Sequence, residues 1–267
     1  MSDRNARQEF LGNDSDEILA SCRVGIIGLG GGGSHIAQQL AHLGGGTFVL
    51  VDPDKVEDHN LNRLVGATAE DAERGTAKVA VLRRLIKGIN PGAKVNCIRN
   101  RWQEEPLGLR DCDVLFGCVD SYGARNELER IARRFLIPYI DIGMDVTPGE
   151  NGYVISGQVI LSMPGELCLW CVGFLTEGLL AEEAARYGAA GGRPQVVWPN
   201  GVLASTAVGN FVQLITPWHD PQRSTTYLEY DGNAHTLLPS NRLRYVEGKR
   251  CKHFSSSTDL GDPFWGQ

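Results

Sequence analysis

The chain has 267 residues, 42% hydrophobic side chains and 33 glycines, which is typical of a globular α/β protein and excludes a disordered one. Its formal net charge of −6 argues against a general nucleic-acid binder, which would need a basic stripe. Residues 1–17 are too charged for a secretory signal, and the apolar runs are too short and too rich in glycine to span a membrane. We therefore expect a cytoplasmic protein that binds neither nucleic acid nor membrane.

The first half of the chain alternates between short apolar runs and helical patterns. Strands are predicted at 23–28, 47–52, 93–98, 112–120 and 137–143. Helices are predicted at 13–21, 34–44, 76–89 and 122–135. This alternation predicts the Rossmann-like class of α/β fold, in which helices cover both faces of a mainly parallel sheet.

After about residue 152 the pattern changes to that of an antiparallel extension. Further elements are predicted as strands at 153–162 and 225–231 and as an apolar helix at 202–215. The tail from about 232 has few apolar residues, so we expect it to be loosely ordered or docked on a partner. No internal repeat or long linker occurs, so we expect one domain. Its parts are a nucleotide-binding half at 1–150, a second part at 151–230 and a tail at 231–267.

A glycine-rich turn, GLGGGGS, joins the first strand to its helix. Its glycines at the positions typical of phosphate-binding turns are Gly28, Gly30, Gly31 and Gly33. Glycine allows a tight turn and a close approach of the backbone to a phosphate, and the following helix start offers free N–H groups. Asp52, at the end of the second strand, is placed to accept hydrogen bonds from ribose hydroxyls. These features alone are equally consistent with a NAD-dependent oxidoreductase.

Three further side chains favour a different chemistry, the splitting of a nucleoside triphosphate. Arg63 ends the loop after the second strand, Lys78 begins the next helix, and Asp120 ends the fourth strand. Attack at the innermost phosphorus places charge on the departing pyrophosphate, so fixed cations and a metal are needed there. A carboxylate at a strand end is a suitable ligand for Mg²⁺. An oxidoreductase has little use for this set.

Six motifs in the same order make the chain resemble the ThiF/MoeB/HesA adenylyltransferases, the bacterial relatives of ubiquitin-activating enzymes. The resemblance extends from the N-terminus to about residue 220. Its motifs are RNARQ, GLGGGGS, VDPDKVEDHNLNRL, GTAK, VDSYGARN and LCLWC, where Asn5 replaces the family's tyrosine in the first of them.

The resemblance implies an ATP- and Mg²⁺-dependent reaction. The C-terminal glycine carboxylate of a small ubiquitin-like or sulfur-carrier protein ending in Gly-Gly would attack the α-phosphate of ATP, giving an acyl-adenylate and pyrophosphate. By position, Asp52 would hold the ribose, with Asp54 of the same motif beside the nucleotide. Asn60, Arg63 and Lys78 would contact the phosphates.

The resemblance also assigns the metal and a contribution from a second subunit. Asp120 would bind Mg²⁺. Arg7 would act as an arginine finger that reaches the neighbouring subunit's site, so a homodimer is expected. The carboxylate nucleophile is already ionised at neutral pH, so no general base is needed and catalysis rests on positioning and charge.

The chain departs from the family pattern at two places. Zinc-binding members carry two Cys-x-x-Cys pairs, whereas here Cys168 and Cys171 are followed only by Cys251 and His253. Either His253 completes a Zn²⁺ site, or the cysteines pack as small apolar residues without metal. Residues 172–250 contain no cysteine, so we expect no thioester in that segment. Within it, 176–195 is either a lid over the carrier's tail or an ordinary surface helix and loop. A third function class, a non-catalytic scaffold, is disfavoured by the intact phosphate-contacting residues.

Overall fold

Short runs of β-branched and aliphatic residues form the strands of one sheet in the computed structural model, which describes residues 3–185, 194–220 and 226–254. Eight strands lie within these ranges: β1 Arg23–Ile27, β2 Thr47–Val51, β3 Lys94–Ile98, β4 Val114–Gly117, β5 Tyr139–Gly149, β6 Gly152–Ser162, β7 Tyr227–Asp231 and β8 Thr236–Pro239. Their order across the sheet is β3-β2-β1-β4-β5-β6-β7-β8.

The sheet is parallel from β3 to β5 and antiparallel from β5 to β8. In the parallel half, Ile26 of β1 lies opposite Leu50 of β2 on one side and opposite Phe116 of β4 on the other. The strands β2 and β3 are therefore added on one side of β1, and β4 and the later strands on the other side. The switch point of the sheet lies between β1 and β4. The prediction of a mainly parallel Rossmann-like sheet with an antiparallel extension is confirmed.

Helices cover both faces of this sheet. Those in the described part of the chain are α1 Ser15–Ser21, α2 Gly31–His42, α3 Ala69–Glu73, α4 Lys78–Ile89, α5 Tyr122–Arg134, α6 Glu177–Ala185 and α7 Val197–Ile215. Side-chain alternation along β1 shows the two layers, because Ile26 packs in the cluster with α2, α4 and α7, whereas Ile27 packs in the cluster with α5. No helix among the described residues combines the length and apolar character needed to cross a bilayer.

Several element boundaries differ from the sequence predictions. The strand predicted to end at Gly143 continues to Gly149, where it turns back into β6. Gly143 marks a close approach inside a continuing strand, since a Cβ there would lie 2.3 Å from the Arg125 guanidinium. Helices α2 and α7 begin three and five residues earlier than predicted, at Gly31 and Val197.

The prediction of a loosely ordered tail from about 232 is wrong for its first part. Strand β8 pairs with β7, and a short 3₁₀ helix follows at Asn241–Tyr245. Leu237 of β8 packs against the core, which explains why this polar segment is ordered. The end of the predicted tail, 255–267, and residues 186–193 of the predicted lid segment lie outside the described residues.

Two helical glycines give opposite expectations for the same substitution. A Cβ on Gly33 would lie 2.0 Å from the carbonyl oxygen of Gly28, whereas a Cβ on Gly88 of α4 would meet nothing within 4 Å. We expect Gly33→Ala to lower the free energy of unfolding by ~2 kcal/mol or more because backbone must move. Gly88→Ala should raise it by up to ~1 kcal/mol through helix propensity. Urea unfolding of both variants checks this, and equal effects would contradict the steric role of Gly33.

Candidate functional site

A cavity of about 1400 Å³ opens at the carboxyl ends of β1, β2 and β4 and beside residues 142–144 within β5. It lies at the point where strand order reverses, which is the usual ligand position in open α/β sheets. Ordinary pockets for one small ligand measure about 300–1000 Å³. The volume is therefore sufficient for a nucleotide together with a second reacting group.

The glycine turn after β1 forms one wall of this cavity. Gly28 has a positive φ of +86°, and a Cβ there would lie 2.5 Å from the carbonyl oxygen of Cys118. Gly30 and Gly31 line the cavity, and a Cβ on Gly30 would meet no protein atom within 4 Å. The first turn of α2 thus presents bare backbone to the cavity, which suits an anion. Gly28 and Gly33 are required for the tight shape of the turn.

The carboxylate of Asp52 is buried and ties the glycine turn to the loop after β2. One oxygen accepts a hydrogen bond from Leu29 N–H at 2.7 Å, and the other accepts one from Asp54 N–H at 2.8 Å. Burial raises the pKa of Asp52, and Lys78 and the two N–H donors partly offset this. Each carboxylate oxygen still has a lone pair for a further donor.

Two predicted phosphate-contacting cations line the cavity and are held by local acceptors. The Lys78 ammonium, on a residue that is 8% exposed, lies 2.7 Å from Asp54 and 3.8 Å from Asp52. The Arg63 guanidinium donates to the carbonyl oxygen of His59 at 2.7 Å, and burial lowers its pKa. Both cations thus lie in the cavity wall and are oriented by neighbouring oxygen acceptors.

Asn60 and Asp120 also line the cavity, and Arg7 does not. Asn60 is buried, and its side-chain oxygen accepts from Glu57 N–H at 3.1 Å, which fixes the short 3₁₀ turn of this loop. The carboxylate of Asp120 is exposed three residues after the end of β4, which stops at Gly117 and not at Asp120 as predicted. Arg7 is exposed on a 3₁₀ helix whose Gln8 donates to the carbonyl oxygen of Leu43, at the opposite end of α2 from the cavity.

The sequence predictions missed a buried ion pair at the wall of the cavity, between Arg125 of α5, which lines the cavity, and Asp141 of β5. Arg125 also donates to the carbonyl oxygens of Val119 at 2.6 Å and Ile142 at 3.2 Å, and the Tyr139 hydroxyl donates to Asp141 at 2.9 Å. The pair thereby ties the segment that follows β4 to the first half of β5. A signal was present, because Arg125 and Glu129 interrupt the apolar stripe of α5.

The four candidate zinc ligands converge outside this cavity. The Sγ atoms of Cys168 and Cys171 lie 3.5 Å apart, and each lies 3.4 Å from Nδ1 of His253. With Cys251, the four ligand atoms all fall within 4.8 Å of one another. Zn–S and Zn–N bonds of about 2.3 and 2.0–2.1 Å in a tetrahedron place ligand atoms at similar separations. The donor set therefore fits Zn²⁺, and a spacing of one residue between Cys251 and His253 is no obstacle.

The turn that carries Cys168 and Cys171, here called the cysteine turn, is anchored to α5. This helix begins beside Asp120. Glu129 accepts a hydrogen bond from Leu169 N–H at 2.9 Å and from the Ser162 hydroxyl at 2.5 Å. Burial raises the pKa of Glu129 to about 7. The Trp170 indole donates to the side chain of Asn126 at 2.8 Å. Helix α5 thus connects the Cys/His cluster rigidly with the cavity.

Together these features describe a Rossmann-like α/β protein with a glycine-rich turn at its strand switch point. Comparison with known families agrees, since residues 2–252 match the ThiF family. The chain belongs to the ThiF family.

Relatives of this chain include named adenylyltransferases. It is 32% identical over 177 residues to the sulfur carrier protein ThiS adenylyltransferase of Escherichia coli K12, covering 62% of this chain and 66% of that protein. It is 33% identical over 129 residues to the molybdopterin-synthase adenylyltransferase of Haemophilus influenzae, covering 48% and 52%. The matches thus span between half and two thirds of these relatives' lengths.

Solved structures confirm the fold. E. coli MccB crystallised with ATP superposes with a TM-score of 0.74 at 20% identity, covering 91% of this chain and 72% of that chain. The complex of MccB with MccA-N7isoASN gives a TM-score of 0.75 with the same coverage. At this level of identity the likeness concerns the fold alone.

Proposed function

We propose that this protein is an adenylyltransferase that uses ATP and Mg²⁺ to activate the C-terminal glycine carboxylate of a small ubiquitin-like or sulfur-carrier protein. The observation that carries the proposal is the convergence of Asp52, Asn60, Arg63, Lys78 and Asp120 on one cavity beside the glycine turn. The named activities of the relatives support it. A dinucleotide oxidoreductase would not need these groups together.

In the proposed reaction, a carboxylate oxygen of the carrier forms a bond to the α-phosphorus of ATP. The bond from the α-phosphorus to the bridging oxygen breaks, and that oxygen leaves with pyrophosphate. No proton is transferred, because the carboxylate is ionised at neutral pH. The products are the acyl-adenylate and pyrophosphate.

The residues of the cavity supply position and charge for this step. The glycine turn and the first turn of α2 would hold phosphate oxygens, and Asp52 would accept from ribose hydroxyls. Lys78 and Arg63 would stabilise charge that develops on the departing pyrophosphate. Asp120 would hold Mg²⁺, which when bound neutralises phosphate charge.

The cysteine content of the segment after Cys171 bears on what happens to the acyl-adenylate once it has formed. Residues 172–250 contain no cysteine that could form a thioester in the segment between the cysteine turn and Cys251. We infer that the adenylate passes to an external nucleophile, such as a sulfur donor or an amine, without a thioester in this segment.

The first test is the exchange of labelled pyrophosphate into ATP, measured with a panel of small proteins that end in Gly-Gly. Lys78→Met and Asp120→Asn are each expected to lower the exchange rate by about 10²–10³-fold, because each removes a preorganised charge at the reacting phosphates. The unfolding midpoint of each variant should stay close to that of the wild type, so that the lower exchange rate cannot come from unfolding.

Matched controls are available on the same elements. Lys87→Met lies at the other end of α4, and Asp111→Asn lies before β4, and both should retain wild-type exchange. Near-normal exchange by Asp120→Asn would refute the magnesium assignment. ATP binding without any exchange would favour a scaffold. Saturable NADH binding that survives Lys78→Met would favour an oxidoreductase.

We further propose a homodimer in which Arg7 completes the site of the partner. Helix α2 has 12 residues and spans about 18 Å, so Arg7 is too far from the glycine turn to act in its own cavity. The proposed arginine finger would therefore act on the site of a neighbouring subunit, which its exposed position allows.

Coexpression of two inactive variants tests this arrangement. Arg7→Ala and Lys78→Met should each abolish exchange alone. A dimer of one with the other has one intact site, so the random mixture should recover roughly a quarter of wild-type activity. Tagged pull-down would verify that mixed dimers form, and mixed dimers without recovered activity would contradict the proposal.

We also propose that Cys168, Cys171, Cys251 and His253 hold one structural Zn²⁺. Purified protein should contain one zinc ion per chain by plasma mass spectrometry, and chelation should lower its melting temperature. His253→Ala should lower zinc content and stability, whereas His42→Ala, an exposed histidine at the end of α2, should change neither. Full zinc occupancy in His253→Ala would show that the histidine is not a ligand.

A further inference from the structure

A second cavity, of about 330 Å³, lies between helix α4 and the end of strand β3, and we call it the α4–β3 cavity. It shares no lining residue with the cavity beside the glycine turn. Its walls are one face of α4 and one side of the extended chain at β3, formed by Ala80, Arg83, Arg84, Lys87, Cys97 and Arg99. The volume is at the lower end of the range of small-ligand pockets, about 300–1000 Å³.

The α4–β3 cavity lies at the edge of the sheet, where β3 is the last strand of the described residues. Helix α4 directs Val79, Leu82 and Ile86 into the core, and the neighbouring face of the helix meets the strand edge. The side chain of Ala80 is short, so it leaves space between the helix and Cys97. The Cys97 thiol donates to the carbonyl oxygen of Val79 at 3.6 Å, which closes the floor of that space.

Every charged side chain that lines this cavity is positive. The set is three arginines and one lysine, although the chain as a whole has a formal net charge of −6. Two of the four are already engaged, because Arg84 lies 2.6 Å from Asp71 and Lys87 donates to the carbonyl oxygen of Pro91 at 3.0 Å. Two guanidiniums are left.

These two guanidiniums belong to Arg83, on α4, and Arg99, directly after β3. Neither has an acceptor among the residues that the structure describes. Both act on the floor of the cavity, since burial raises the pKa of the Cys97 thiol and the positive charges of Arg83 and Arg99 oppose this rise. Two like charges that line one cavity repel each other, and an anion between them replaces the repulsion with two attractions.

Phosphate is the anion whose geometry suits this pair of side chains. A guanidinium presents its N–H donors as a planar fork that binds two oxygen atoms at once. A carboxylate has only two oxygens, so one fork satisfies it. A phosphate group has three or more oxygens and up to two negative charges, so two forks on different walls of a cavity can bind it together.

We propose that the α4–β3 cavity is an anion site in which Arg83 and Arg99 bind a phosphate group, either of an inorganic phosphate or of a nucleotide. The bound group would tie α4 to β3 through one charged ligand. Lys78 begins the same helix, but it lines the other cavity. The proposal therefore does not depend on the proposed adenylation, and either can fail alone.

Alkylation of Cys97 by iodoacetamide tests whether an anion enters the cavity. The modified peptides are quantified by mass spectrometry, so that Cys97 is followed separately from the other cysteines. Saturating pyrophosphate should slow the reaction at Cys97 about tenfold relative to potassium chloride of equal ionic strength, because the anion covers the thiol and disfavours the thiolate. Equal slowing by potassium chloride would mean charge screening alone and would overturn the proposal.

Substitution of the two arginines tests whether they are the ligands. Arg83→Gln and Arg99→Gln should each raise the pyrophosphate concentration that gives half protection by about tenfold, because each removes one charged fork. Lys94→Gln removes an exposed charge from the same strand outside the cavity and should leave that concentration unchanged. Each variant is compared with and without anion, since loss of a nearby charge itself slows the thiol. Wild-type values in both arginine variants would refute the assignment.

A third comparison separates the two cavities and the two sources of phosphate. Lys78→Met should keep the protection of Cys97, and its loss there would show that Cys97 responds to the nucleotide cavity, contrary to the proposal. Phosphate, pyrophosphate and ATP without Mg²⁺ are then compared in the wild type. Half protection at a lower concentration of pyrophosphate than of ATP assigns the site to inorganic phosphates, and the reverse order assigns it to nucleotides. No protection by any of the three would overturn the proposal.

Discussion

The buried carboxylate of Asp52 is the interaction on which the arrangement of the cavity depends. Its two oxygens join Leu29 in the turn after β1 to Asp54 in the loop after β2, and Lys78 lies 3.8 Å away. One side chain thus sets the distance between the glycine turn and the cation that begins α4. Because parallel strands bring their carboxyl ends to one edge, residues far apart in sequence need only short local contacts to form a site.

Helix α5 provides a second constraint, which links chemistry with stability. Arg125 ties the segment before Asp120 to β5, while Glu129 holds the turn that carries Cys168. Breaking a buried ion pair such as Arg125–Asp141 leaves an uncompensated charge and is strongly destabilising. The same helix therefore positions the proposed metal ligand at its start and supports the Cys/His cluster along its length, so disturbance of one end should be felt at the other.

Much of this site was predictable from sequence because its residues follow buried strands. Apolar runs located the strands, and Asp52 directly follows its strand as expected, whereas β4 ends at Gly117, three residues before Asp120 and not at Asp120 as predicted. What sequence could not give were contacts set by tertiary structure. The Arg125–Asp141 pair requires α5 to pack under β5, and the contact of Glu183 with α5 requires the path of a polar segment that has no periodic signal. The prediction that the strand ends at Gly143 was wrong. Glycine at this position makes room for the Arg125 guanidinium and does not end the strand.

The proposed adenylation requires that a carrier carboxylate attack the innermost phosphorus of ATP. The most direct measurement uses a carrier whose C-terminal carboxylate is labelled with heavy oxygen, incubated with ATP and an amine acceptor, followed by mass spectrometry of the nucleotide product. Attack at the α-phosphorus predicts AMP that carries one heavy oxygen, because acyl transfer leaves the attacking oxygen on phosphorus. Unlabelled AMP, or ADP with the label in inorganic phosphate, would contradict the account.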